Sequence, residues 1–454
     1  MEKEASWKEI SRIISRLTCG VTKFSGHSHE EDEDNSRRAK ENEERSMGVL
    51  PASSSNGGSN WHTPVQSWKS NETTQSSGTR RRESNGVSSP SIAYGKVRDE
   101  KVIMGNILKR SNGRSPGSKI SAEALKELGN ERYKEGKFKE ALIMYDQAIA
   151  LDAGQANYRS NRSAALIGLG RLLEAVSECK EAVRIDPAHE RAHSRLASLY
   201  IRLGEPDKAL NHYHYAATTT VPELISGAEE VKKCLKRCKD FCLANEWNNL
   251  LSETDYAISL GIDSSPPVYA MKAEALLRMR RYQDSFEAYA KSPRLGVQSC
   301  AKLFGRRATS HILTVEALVY LTAGRFDAAS GSAEEATCID PSNKEAIVAA
   351  RIVKGIVDAS YTGDLQFNAS NFLEACVMYS EGLIHDPYNP VLLCNRAACF
   401  VKLKLFQKAM DDYTRALIVQ PNYSEARRRR ADCCVEMEKW EAAIKDYVLL
   451  ENKK

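Results

Sequence analysis

Paired cysteine spacing, long apolar runs and a strong net charge are all missing from these 454 residues. The twelve cysteines never fall in a Cys-x-x-Cys spacing, which argues against a dithiol redox motif or a zinc ribbon. Their scatter also gives no framework of bridges, so they are read as reduced packing residues of an intracellular protein; Cys234, Cys238 and Cys242 follow one another at about one helical turn, and Cys433 and Cys434 are adjacent. No apolar stretch approaches the roughly 20 residues of a membrane span, so stable membrane insertion is not expected. The residues after Met1 (Glu2, Lys3, Glu4) lack the apolar core of a secretory signal. A cytoplasmic or nucleocytoplasmic location is therefore expected. A net charge of +5 is too small for a nucleic-acid-binding field. No nucleophile, base and orienting group occur in a recognisable arrangement, and neither an enzyme nor a cofactor is expected.

What is present begins with two unlike segments. Over residues 1–24, Trp7, Ile10, Ile13, Ile14 and Leu17 recur at helical spacing and predict a short amphipathic helix, docked on the body or on a partner. Residues 25–118 are rich in Ser, Asn, Gly, Glu and Arg; such a composition buries too little apolar surface to offset chain entropy, and a disordered linker is expected. Within it, Arg80, Arg81 and Arg82 precede Ser84 in the shape of a basophilic kinase site, a pattern that short motifs also reach by chance. Met104-Gly105 has the form of a myristoylation start but is internal.

From Ser121 onward the sequence repeats. Ala141, Ala175 and Ala209 recur every 34 residues, each after a glycine (Gly136, Gly170, Gly204) and each before Tyr145, Cys179 or Tyr213. Ala375, Ala409 and Ala443 keep the same step, with Tyr379, Tyr413 and Tyr447 four residues on. Small alanines let two helices approach, and a residue four positions later fills the gap on the same face. That period is the tetratricopeptide (TPR) unit of two antiparallel helices. The fold expected is all-α, a superhelical TPR solenoid with about nine repeats and a concave groove lined by the first helix of each pair. Three repeats are expected over 119–220, degenerate ones over 221–343, marked by Trp247, Tyr282 and Phe326, and three over 344–454.

The first block carries a donor set that packing does not require: Lys126, Asn130, Asn161, Arg191 and Arg195. Lys126 and Asn130 are four apart, as are Arg191 and Arg195, so each pair shares a helix face. A desolvated carboxylate is costly unless several donors satisfy it, and neutral amides with cationic side chains supply that. The spacing resembles the dicarboxylate clamp of co-chaperone TPR domains, and the resemblance implies a partner: the Glu-Glu-Val-Asp tail of cytosolic heat-shock chaperones. The last block has Ser360, Asp364, Asn395, Glu425 and Arg429 in the same register, two of them acidic, so a carboxylate tail should be repelled there. His193, His212 and His214 lie mid-helix without companion ligands, and no metal is expected.

The arrangement as a whole resembles the plant TPR-repeat thioredoxin-like family, through Met104-Gly-Asn-Ile107, Asp263 to Pro267, Met271 to Leu277 and Leu392 to Ala397. The resemblance implies a chaperone-linked scaffold in stress or hormone signalling that joins chaperone tails to client or signalling proteins. It is read here without the family's C-terminal thioredoxin-like domain. Two alternatives stay open: a TPR scaffold reading internal peptides, and a truncated thioredoxin-like redox protein.

Overall fold

The computed structural model describes residues 120–216 and 222–451; the expected helix over 1–24, the linker over 25–118 with Ser84, and Met104-Gly105 lie outside the described residues. All regular structure described is helical. The first six helices are α1 (Ala122–Lys134), α2 (Phe138–Leu151), α3 (Ala156–Gly168), α4 (Leu172–Ile185), α5 (Glu190–Arg202) and α6 (Pro206–Tyr215). After them come α7 (Pro222–Ala244), α8 (Trp247–Ser259), α9 (Pro266–Arg278), α10 (Tyr282–Ala290), α11 (Val297–Phe304), α12 (Arg306–Thr322) and α13 (Phe326–Ile339). The last are α14 (Lys344–Asn368), α15 (Phe372–His385), α16 (Pro390–Lys402), α17 (Phe406–Val419), α18 (Ser424–Glu436) and α19 (Trp440–Glu451). Two compact units divide between Lys233 and Cys234, inside α7. No helix described is long and apolar enough to cross a membrane.

Apart from α11, these helices form hairpins, and one backbone device closes each. A residue in the left-handed region ends the first helix: Gly136, Gly170, Gly204, Asn245, Arg280, Gly324, Ser370, Lys404 and Glu438, with φ between 58° and 77°. The next residue donates its N–H to the carbonyl five positions back, as Lys137 does to Arg132 at 2.9 Å and Lys439 to Cys434 at 2.8 Å. This is the Schellman closure, which satisfies carbonyls that the helix end would otherwise orphan. Phe138, Trp247, Tyr282 and Phe326 then open the second helix. Pro187, Pro341, Pro387 and Pro421 follow the ends of second helices, where a missing N–H and a fixed φ stop them.

Five hairpins are locked by an alanine and tyrosine pair, in which Ala141, Ala209, Ala375, Ala409 and Ala443 precede the tyrosine by four residues. Ala141 and Ala375 are wholly buried, and Tyr145 and Tyr379 are 1% and 0% exposed. Tyr145 lies so close over α1 that a Cβ on Gly129 would sit 2.6 Å from its Cε1; glycine is required there for packing. Two departures from the regular period shape the second unit. Helix α11 is inserted between hairpins and is followed by Gly305 at φ 87°. Helix α14 runs for 25 residues from an Asn343 cap, whose side chain accepts from Glu345 and Ala346.

Candidate functional site

The donor set is distributed over α1, α3 and α5 of the first unit. Asn130 and Asn161 meet directly: the Asn161 Nδ2 donates to Asn130 Oδ1 at 3.0 Å, and the Tyr145 hydroxyl donates to the same oxygen at 2.9 Å. With its carbonyl end taken twice, the Asn130 amide nitrogen is turned away from both, and its bond to Glu127 is a long 3.3 Å. Burial pushes the Tyr145 hydroxyl up to about 12, so it remains a donor at neutral pH. Tyr145 was read in the sequence only as packing; its second role is to orient an amide.

Arg195 reaches from α5 to α3. One terminal nitrogen donates to the Ser160 carbonyl and, at 2.8 Å, to the Ser160 hydroxyl; the other nitrogens of the guanidinium have no partner among the described residues. Arg191, one turn earlier, is exposed and forms no ion pair among the described residues. A hollow of roughly 400 Å³ runs beside them, floored by Ile167 and Leu199 and edged by Arg191, Arg195 and Arg202. Lys126 is the member held apart. Its ammonium pairs with Glu123 and, at 2.9 Å, with Glu127, and those hydrogen bonds hold it above the usual lysine range. Four of the five positions thus present nitrogen donors free to turn toward a ligand, while Lys126 must exchange partners.

The C-terminal block repeats the scaffold with other chemistry. The Tyr379 hydroxyl donates to Asp364 Oδ1 at 2.6 Å, and Asn395 Nδ2 reaches the same oxygen at 3.3 Å. A carboxylate therefore sits where Asn130 sits, and burial raises its pKa. Arg429 donates through Nε to Glu425 at 2.7 Å. Ser360, at the Lys126 position, is fully buried and its hydroxyl has no hydrogen-bond partner among the described residues. Of the Arg427 to Arg430 run, Arg427 and Arg430 both pair with Asp446, so the run is in part a structural one.

The histidines form a packing cluster. His193 Nε2 faces the Pro187 carbonyl at 3.1 Å and must carry the proton, which leaves its Nδ1 to accept from His212 Nδ1 at 3.0 Å. Burial, then the neighbouring His193, lowers His212 to about 4, so His212 is neutral at pH 7. His214 turns instead to the Leu210 carbonyl at 2.6 Å. No group of three His, Cys, Asp or Glu side chains among the described residues is arranged to hold a metal ion.

With that geometry in place, comparison with known proteins is informative. A tetratricopeptide repeat family model matches residues 166–214. The inactive TPR repeat-containing thioredoxin TTL3 of Arabidopsis thaliana is 43% identical over 319 residues, 69% of this chain and 45% of that protein. The TPR repeat-containing thioredoxin TTL4 of the same plant is 41% identical over 355 residues, 76% of this chain and 52% of that protein. Over most of its length the chain is homologous to these TPR-repeat thioredoxins. It spans about half the length of these two curated relatives. Among solved structures, the first TPR domain of Spaghetti (RPAP3), bound to the HSP90 peptide SRMEEVD, is 25% identical at a TM-score of 0.24, covering 26% of this chain and 94% of that one.

Proposed function

We propose that the groove over α1, α3 and α5 binds the free C-terminal carboxylate of a partner, in particular the Glu-Glu-Val-Asp tail of cytosolic heat-shock chaperones. The chain then serves as a non-catalytic cytoplasmic adaptor whose later repeats hold client or signalling proteins. The observation that carries this reading is the doubly accepted Asn130 Oδ1: Tyr145 and Asn161 together fix the amide so that its N–H end is offered to a ligand. Around it, Arg195 is preorganised on Ser160 with nitrogens to spare, and Arg191 adds an unpaired charge. A carboxylate bound between preorganised amides and guanidinium groups gains charge-assisted hydrogen bonds without a large ordering cost. Arg191 stands where lysine is commoner in such clamps, and a guanidinium serves a carboxylate equally well.

The test is calorimetric titration of the full chain with a peptide ending Glu-Glu-Val-Asp, as the free acid and as the C-terminal amide. Charged hydrogen bonds are worth roughly 1.5 to 3 kcal/mol each, so Asn130→Ala and Arg195→Ala should each weaken the free acid about tenfold or more. Equal binding of acid and amide would replace this reading with recognition of an internal peptide.

A further inference from the structure

The insertion after α10 walls a second site that no repeat position accounts for. The segment from Lys291 to Gly296 and helix α11 cover a cavity of about 250 Å³ against α10 and α12. Its walls include the rings of Phe286, Tyr289 and Tyr320, the last two packed edge to face with centroids 6.4 Å apart. Glu316 lines the same cavity near both phenols, which burial first and its charge second hold above the usual tyrosine range, and it forms no ion pair among the described residues. A carboxylate in a partly buried aromatic setting, held in no ion pair, leaves part of its electrostatic demand unmet. The rings already display their preference: the Arg325 guanidinium lies 5.0 Å from the Phe286 centroid and 5.9 Å from that of Tyr320. Two further charges, Arg294 and Glu335, are exposed at the edge, opposite in sign and screened by solvent.

We infer that this cavity binds an organic ammonium group, its charge on Glu316 and its alkyl groups against the faces of Phe286, Tyr289 and Tyr320. Ring quadrupoles attract such cations, and a neighbouring carboxylate adds a charge that water alone does not offset. The volume admits a free small amine or the end of a lysine side chain from a bound peptide; the chemistry is shared and the source is separable. The site is independent of the groove over α1, α3 and α5, so neither proposal depends on the other.

Tetramethylammonium chloride and the peptide acetyl-Ala-Lys-Ala-amide are the probes, titrated into the full chain and followed by calorimetry and by the probe's proton resonances. The expected result is binding of at least one probe, with an upfield ring-current shift of its methyl or ε-methylene protons. Glu316→Gln keeps the shape of the side chain but removes the charge, and should weaken binding about tenfold or more. Arg325→Gln frees ring faces and removes a like charge, and should strengthen it. Binding of tetramethylammonium marks a small-amine site; binding of the peptide alone marks a lysine-reading one. Failure of both probes with wild-type protein, or binding that neither Glu316→Gln nor Arg325→Gln changes, would overturn the inference.

Discussion

The first block and the C-terminal block use one chassis for opposite electrostatics. In both, a tyrosine on the second helix of a hairpin donates to a side chain fifteen residues earlier on the first helix, Tyr145 to Asn130 and Tyr379 to Asp364. In both, an asparagine of the next repeat joins the same oxygen, Asn161 in one and Asn395 in the other. A single change from amide to carboxylate replaces a donor aimed outward with a half-buried carboxyl group. Packing and recognition are thus separable on this fold: the ring, the glycine beneath it and the alanine in front of it are retained while the polar atom they position is exchanged.

The sharpest way to break the contrast is to write the second block's chemistry into the first. Asn130→Asp keeps an acceptor for Tyr145 and Asn161 but places a carboxylate against the incoming tail, and should lower tail affinity about a hundredfold in calorimetry, more than Asn130→Ala does. The reverse change, Asp364→Asn, should restore no tail binding, because Glu425 and Ser360 remain at two of the five positions. Next in size is a change that should hurt both blocks alike. Gly129→Ala and Gly363→Ala each drive a methyl into a buried tyrosine ring and should cost about 1–3 kcal/mol in urea unfolding.

Acid should separate the blocks in sign. His212 titrates near 4 in the folded chain and near 6.5 when unfolded, so between those values the unfolded state binds more protons and the first block loses stability as pH falls. Asp364, Asp386 and Asp432 have pKa values raised by burial, so the folded state holds protons longer and these groups favour folding as pH falls through their raised values toward the ordinary carboxylate value. Block-resolved hydrogen exchange at pH 7 and pH 5 should show protection falling over α5 and α6 relative to α14 and α18; parallel changes would count against the two assignments. The smallest effect concerns the hairpin closures. The first block places glycine at all three of its left-handed positions, whereas Ser370, Lys404 and Glu438 hold them in the last. Ser370→Gly or Lys404→Gly should therefore stabilise by about 0.5–1 kcal/mol, and Gly136→Ala should cost about as much, read from thermal midpoints.

Much of the fold was legible because the period is a packing necessity: the alanine and the turn residue recur every 34 positions within each of the two regular blocks. The same regularity hid what departs from it. Helix α11 occupies a stretch with no repeat signature, and the length of α14 is invisible because no glycine cap or proline interrupts Lys344 to Asn368 before the hairpin turn. For the candidate site, the sequence named the donors but not their orientation. Tyr145 was visible as a core aromatic, and the recurrence of a polar residue fifteen positions before Tyr145, Tyr379 and Tyr447 was the signal for its second role. The capture of Lys126 by Glu123 could also have been read from their spacing of three along α1, whereas its contact with the adjacent Glu127 could not.

That capture gives the groove its own internal counterions. On the proposed reading, a tail carboxylate entering the first block would not meet a bare ammonium; it would displace two tethered carboxylates that return when it leaves. Salt therefore acts twice, screening the ligand's attraction to Arg191 and Arg195 and loosening the grip of Glu123 and Glu127 on Lys126. The tail affinity proposed for this groove should consequently fall less steeply with ionic strength than its count of cationic residues suggests.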